Sequence, residues 1–145
     1  MSQSAAGHVS PLLYVELQQL YAAQSHAIDC GRPEDWARTF TEDGVFNSPT
    51  YDRPIVGRPA LAAFAGDVYT GLGNTIQHHY PSNLVAREVV EGSVEAQCYV
   101  LMVQTPPGEN ARILRSVRLI DDLVSTNEGW RIRNRNVFTP APTAI

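Results

Sequence analysis

TIQHHYPSNLVAREVV at 75–90, SVEAQCYVLMVQT at 93–105, ILRSVRLIDDLV at 113–124 and WRIRNRNVF at 130–138 together decide the fold. Within each run the residues follow a period of two, the mark of a strand with one face on a core. The runs are parted by Glu91-Gly92, Pro106-Pro107-Gly108 and Asn127-Glu128-Gly129. Links this short, built from turn residues, join neighbouring strands as antiparallel hairpins.

Upstream of residue 75 the period changes. Ser10-Pro11 suits an N-cap followed by a first-turn proline, and Leu13, Leu17, Leu20, Tyr21, Ala27 and Ile28 recur at helical spacing. This first helix should end near Asp29, with Gly31 placed for a left-handed cap. Pro33 to Phe40 predicts a short second helix, opened by Pro, Glu and Asp and carrying Trp36 and Phe40 on one face. Thr41 to Gly44 is turn chemistry, a strand can begin at Val45, and the Pro-rich stretch from Pro49 to Pro59 predicts a loop over a pocket. Leu61, Phe64, Ala65 and Val68 set a third helix from Ala60 to about Tyr69. Three N-terminal helices followed by a strand meander describe an α+β fold in which a curved, mainly antiparallel sheet wraps the helices. The expected organisation is one domain over residues 1–145, with 1–10 a flexible tail.

The 145 residues are 43% hydrophobic, enough for one sizeable core. A net charge of -4, with basic residues scattered singly, offers no footprint for nucleic acid or an anionic membrane. No apolar run approaches the roughly 20 residues that span a bilayer, and Met1 to Gly7 lacks the basic and apolar regions of a signal peptide, so the expected location is cytoplasmic. Cys30 and Cys98 stand far apart, at an expected helix end and strand centre, and are read as free thiols.

Several segments carry a resemblance: His26-Ala27-Ile28-Asp29, Asp35-Trp36, Phe40-Thr41-Glu42-Asp43-Gly44-Val45-Phe46, Gly57-Arg58-Pro59-Ala60-Leu61, His78-His79-Tyr80-Pro81-Ser82-Asn83 and Gly129-Trp130-Arg131-Ile132. In order and spacing they resemble SnoaL-like domains of the nuclear transport factor two superfamily, across nearly the whole chain. The resemblance implies a cone-shaped fold with a conical pocket, frequent homodimers packed through the sheet, and often no metal or organic cofactor. Its members include polyketide cyclases, dehydratases, isomerases, epoxide hydrolases and non-catalytic subunits, so fold alone does not set function.

By that resemblance Asp29 corresponds to the carboxylate that pairs with a pocket histidine, orienting the imidazole or acting as a base itself; its plain alternative is a solvated carboxylate beside the Gly31 turn. His78 and His79 are adjacent on a strand and must face opposite sides. The family pattern matches His79 with Asn83, which leaves His78 for the outer face; an imidazole there can move protons near neutral pH, or be merely structural. On the last strand, strict alternation puts Trp130, Ile132, Asn134 and Asn136 on one face and Arg131, Arg133 and Arg135 on the other. If the Trp face is inward, Asn134 and Asn136 either satisfy backbone groups or await a polar ligand. Ser48 and Tyr51 lie where the family places pocket-mouth hydroxyls, and Tyr51 could polarise a carbonyl or serve as a hydrophobic lid. Gln24 stands where many catalytic relatives carry Tyr, with Tyr21 one turn earlier; Gln can donate a hydrogen bond but not act as an acid. Arg112, Arg115 and Arg118 do not keep one strand face and are read as solvated or interface residues. His8 and His26 give no third ligand at useful spacing, so no metal site is expected.

The expected activity is a cofactor-independent cyclase or dehydratase of secondary metabolism, such as antibiotic biosynthesis, acting on a polyketide-like small molecule with Asp29 and His79 as proton carriers. An epoxide hydrolase or epoxide-opening cyclase is the alternative enzyme; it requires a further inward carboxylate beside Asp29, which Asp121 or Asp122 could supply only if strand parity turns it inward. A non-catalytic binding or assembly module is the alternative outside catalysis.

Overall fold

The computed structural model describes residues 7–140. In chain order its elements are α1 (Pro11–Asp29), α2 (Pro33–Arg38), β1 (Phe40–Asn47), β2 (Ile55–Val56), α3 (Arg58–Gly71), β3 (Ile76–Val90), β4 (Ser93–Thr105), β5 (Arg112–Thr126) and β6 (Gly129–Phe138). One six-stranded sheet runs in the order β2-β1-β6-β5-β4-β3. All its pairings are antiparallel except β1 with β6, which is parallel. The α+β reading therefore holds, and the three hairpins β3 to β6 fall where the turn residues put them.

Helix α1 begins as its sequence dictates, with the Ser10 hydroxyl accepting from the Leu13 N–H at 3.1 Å and Pro11 in the first turn. It ends at Gly31, whose φ of +73° allows the Arg32 N–H to reach the Ala27 carbonyl at 2.9 Å. The helix lies along β3, the strand at the sheet's edge, and satisfies two of its outward backbone groups. Tyr14 donates to the Leu84 carbonyl at 2.7 Å, and the Asp29 carboxylate accepts the His79 N–H at 3.0 Å. Residues 7–10 are not loose: Gly7 accepts from the Glu88 N–H and His8 bridges to Arg87 on the same edge. The remainder of the expected tail, 1–6, falls outside the described residues.

Between the helices and the inner face of the sheet, Leu17, Phe40, Leu61, Leu123 and Ile132 are fully or almost fully buried. Phe40 corrects the helical reading of 33–40. It opens β1 by pairing with Ile132, yet still meets Trp36 with ring centroids 5.0 Å apart, because α2 stops at Arg38 and the chain turns directly into the sheet. The 41–44 segment stays within β1 but out of register with β6, and β2 interrupts the Pro-rich stretch by pairing with Val45 and Phe46.

Two irregularities in the ladders decide which side chains face inward. In β3 the register shifts between Ser82 and Val85, and Asn83 takes a φ of +57°, a left-handed conformation that Asn tolerates better than most residues. In β6 the register shifts so that Leu123 pairs with Ile132 but Asp122 with Asn134, leaving Arg133 as the extra residue. Beyond that bulge the alternation reverses.

Candidate active site

A cavity of about 400 Å³ lies between α1, α3 and the inner face of the sheet, within the range of small-molecule sites. Its aromatic wall is Trp36, Phe46 and Phe64, whose rings stand 5.2 to 6.0 Å apart by centroid. Gln24, Ser25 and Ile28 of α1 face it from one side, and Met102, Val117 and Leu119 of the sheet from another.

His79 lines this cavity, and its Nδ1 lies 2.6 Å from Asp29 Oδ1. The other carboxylate oxygen holds the His79 backbone N–H, so Asp29 grips one residue at both its ring and its main chain. Side-chain exposure is 16% for His79 and 9% for Asp29, so the pair is sheltered but not sealed. An ionised carboxylate only accepts, so Nδ1 carries the hydrogen in this contact, and in the neutral ring that tautomer leaves Nε2 as an acceptor. His78 points to the outer face and is exposed, with its ring against Tyr80 at 6.1 Å. Asn83, the partner residue of the family pattern, serves the β3 bulge and is exposed.

The other sequence candidates separate. Gln24 is buried, lines the cavity and donates to the Thr39 hydroxyl at 2.6 Å, which in turn donates to the Trp36 carbonyl at 2.6 Å. Ser48 and Tyr51 are also at the wall, with the Tyr51 ring edge-on to Phe64 at 5.2 Å. Asn134 and Asn136 do not line this cavity, which corrects the strict alternation read for the last strand. The Arg133 bulge turns them to the opposite face, where Asn134 accepts from Asn47 Nδ2 at 3.2 Å and Asn136 borders a shallower hollow with Asn47 and Tyr51.

The same bulge brings Arg135 inward. Its Nε donates to Asp121 Oδ1 at 2.9 Å and its Nη2 to Oδ2 at 2.8 Å, and the Tyr21 hydroxyl donates to Oδ2 at 2.5 Å. Asp121 has no exposure and Arg135 only 5%. Burial works against the guanidinium's charge, but the bidentate carboxylate outweighs it and holds Arg135 protonated above its ordinary range. Burial and then the Asp121 charge push the Tyr21 phenol well above its usual value, so it stays neutral. Tyr21 and Arg135 line the cavity, whereas Asp121 lies behind them. Sequence reasoning missed this trio as a unit; its one legible signal was Asp121 in phase with Val117, Leu119 and Leu123. It also set Arg115 apart as solvated or interfacial, whereas Arg115 is half-buried at the cavity wall. Among the described residues, no group of three or more His, Cys, Asp or Glu side chains is gathered as a metal site, and Cys30 and Cys98 are free, exposed and buried respectively.

Known structures of the same shape place this geometry in context. Aln2 from a Streptomyces species superposes with a TM-score of 0.84 at 24% identity, covering 91% of this chain and 94% of its own, a likeness of fold. A protein from Catenulispora acidiphila, solved in complex with S-DNPA, is 32% identical over 88% of this chain and 93% of its own, with a TM-score of 0.78. ActVI-ORFA from Streptomyces coelicolor is 25% identical over 88% and 96% of the two chains, with a TM-score of 0.79. No curated protein sequence matches the chain. The SnoaL-like domain model matches residues 12–136, which takes in every helix and strand but for Pro11 and the last two residues of β6. The chain belongs to the SnoaL-like domain family.

Proposed function

We propose that this protein is a cofactor-independent acid-base enzyme, a cyclase or dehydratase acting on a polyketide-like small molecule, with His79 as the proton carrier and Asp29 as its partner. The observation that carries this reading is the 2.6 Å contact between Asp29 Oδ1 and His79 Nδ1 at the wall of a cavity large enough for a small organic ligand. Membership of the SnoaL-like family supports it, as does the Catenulispora acidiphila relative with its bound S-DNPA.

The chemistry follows from the tautomer. With Nδ1–H donated to Asp29, the Nε2 lone pair can take a proton from a carbon next to a carbonyl. The imidazolium then carries a second proton that it returns to a leaving hydroxyl, so that water departs, or to the atom that closes a ring. Asp29 stabilises the cation without itself taking the proton, and its bond to the His79 backbone fixes the ring's position before substrate arrives. Gln24, whose amide is already committed to Thr39, shapes the wall instead of moving protons. Epoxide opening is less well supported: it needs a second, inward carboxylate to activate water, whereas Asp121 is engaged by Arg135 and Tyr21 and does not line the cavity, and Asp67, which does line it, is exposed on α3.

Two further parts of the reading concern setting. The outer face of the sheet exposes Tyr80, Tyr99 and Phe138, with Arg118 over the Phe138 ring at 5.4 Å, and such a patch supports a homodimer packed through the sheet. No helix among the described residues is long and apolar enough to cross a membrane, which is compatible with action in the cytoplasm on intermediates of secondary metabolism.

The test is the titration of the His79 ring by NMR in wild type and Asp29→Asn, beside turnover of an aromatic β-hydroxy ketone. Asp29→Asn should change the His79 titration and reduce turnover by about 10²–10⁴-fold. Identical titration curves in the two proteins would overturn the pairing.

A further inference from the structure

Two arginines line the cavity, and they are not equivalent. Arg135 is held by both oxygens of Asp121. Arg115 is half-buried and has neither an ion pair nor a side-chain hydrogen bond among the described residues. An arginine that gives up part of its hydration without gaining a protein partner retains unused donors aimed at whatever fills the space.

Its position in the sheet relates it to the proton carrier. His79 pairs with Met102 across β3 and β4, and Met102 pairs with Arg115 across β4 and β5. All three line the cavity, so they form a single row of inward side chains. Two strand spacings separate the outer members, which puts their Cα atoms about 10 Å apart. Just beyond Arg115 the β5 register slips: Ile113 pairs with Val103, Leu114 becomes the extra residue at the cavity rim, and Ile113 turns out to solvent. Arg115 is therefore the last inward residue before the bulge, at the mouth of the cavity and not on its floor.

We propose that Arg115 is the specificity-determining anchor of the site and that the substrate is a small aromatic carboxylic acid whose carboxylate it binds. This rests on the reading of His79 as the proton carrier, because the row sets the separation between the anionic group and the reacting carbon. A guanidinium fork matches a carboxylate with two parallel N–H donors, and the ring system would lie along Met102 towards the aromatic wall. Asp67 of α3, exposed at the same cavity, offsets the Arg115 charge at a distance, so recognition comes from direct contact and not from a general positive field.

Naphthalene-1-acetic acid and its neutral amide are suitable probes, followed by quenching of the cavity-wall Trp36 and by the NMR resonance of the Arg115 Nε–H. Wild type should bind the acid about tenfold more tightly than the amide, a gap typical of one partly sheltered charge-assisted pair. The acid alone should displace the Arg115 resonance, and Arg115→Gln should bind both probes equally. Equal binding by wild type, binding of neither probe, or an acid preference that survives Arg115→Gln would overturn the anchor. Turnover in His79→Gln is read separately. If it is lost while wild type shows no acid preference, the anchor falls and the acid-base pair stands; if the preference is present and turnover is unaffected, the anchor stands and the acid-base pair falls.

Discussion

Replacing Asp121 with Asn tests whether the buried trio behind the cavity is held by charge or merely by packing. The carboxylate accepts three donors, from Arg135 Nε, Arg135 Nη2 and the Tyr21 hydroxyl, at 2.9, 2.8 and 2.5 Å. Asn keeps the volume but removes the charge, and turns one acceptor oxygen into an amide that faces another donor. Arg135, with 6% side-chain exposure, is then a nearly buried cation without its counter-ion. Breaking one side of such a pair costs about 3–5 kcal/mol, a large part of the roughly 5–15 kcal/mol that holds a domain together. With a urea slope of about 2 kcal/mol per molar, the unfolding midpoint should fall by roughly 2 M. Urea melts followed by tryptophan fluorescence read this directly. Asp121→Leu combined with Arg135→Met should be more stable than Asp121→Asn, because removing both partners leaves no orphaned charge. Tyr21→Phe alone should cost only about 1 kcal/mol, since Asp121 keeps both arginine bonds. A loss below about 1 kcal/mol in Asp121→Asn would refute the argument, for it would mean that Arg135 finds another partner or water in the cavity.

The thiols give a second test. Burial, opposed by Arg135 and reinforced by Asp121, pushes the Cys98 thiol from its ordinary 9.0 up to about 12. The unfolded thiol ionises first, so this contribution to stability is complete below pH 9.0 and is lost as pH rises towards about 12. The Tyr21 phenol acts in the same direction from 10.0 upward. Urea midpoints should therefore drop through this alkaline window, less steeply in Cys98→Ala, and an unchanged slope would count against the burial argument. A maleimide at neutral pH should label exposed Cys30 in the native protein and reach Cys98 only after unfolding; native labelling of both would contradict the packing. Gly31→Ala should lose about 1–2 kcal/mol from the left-handed φ alone, and its new methyl would sit 2.7 Å from the Tyr69 ring. Because Gly31 closes the helix that carries Asp29, the His79 ring resonances should move as well, and a variant neutral in both readouts would refute that link.

Most of the fold was legible because period-two and period-3.6 patterns are set by burial, which the sequence records directly. Helix α1, its Ser10 cap and its Gly31 stop follow from local chemistry, and so do the hairpin turns. Apart from Arg115, which plain alternation with Val117 and Leu119 already turns inward, the failures lie where pairing across the sheet overrides local pattern. Phe40 has a helical neighbourhood but is claimed by Ile132. Asn134 and Asn136 obey alternation until a single extra residue, Arg133, inverts it, and the same inversion hides Arg135 from a reader of the sequence. The Asp121–Arg135 pair is therefore invisible without a register, although 14 positions separate its members. Asp29 and His79, 50 positions apart, were brought forward by family resemblance, and their contact was likewise beyond the reach of spacing alone.

The double grip of Asp29 on His79 has a mechanical consequence. One carboxylate ties the end of α1 to both the ring and the main chain of an edge strand, so this side of the cavity acts as a fixed jaw. The facing side is built differently: Tyr51 sits in an exposed turn segment at 49–54 that has no partner strand until Ile55, and α3 meets it through Phe64. Ligands of different width would be accommodated by movement of that outer jaw, leaving His79 where the helix has clamped it.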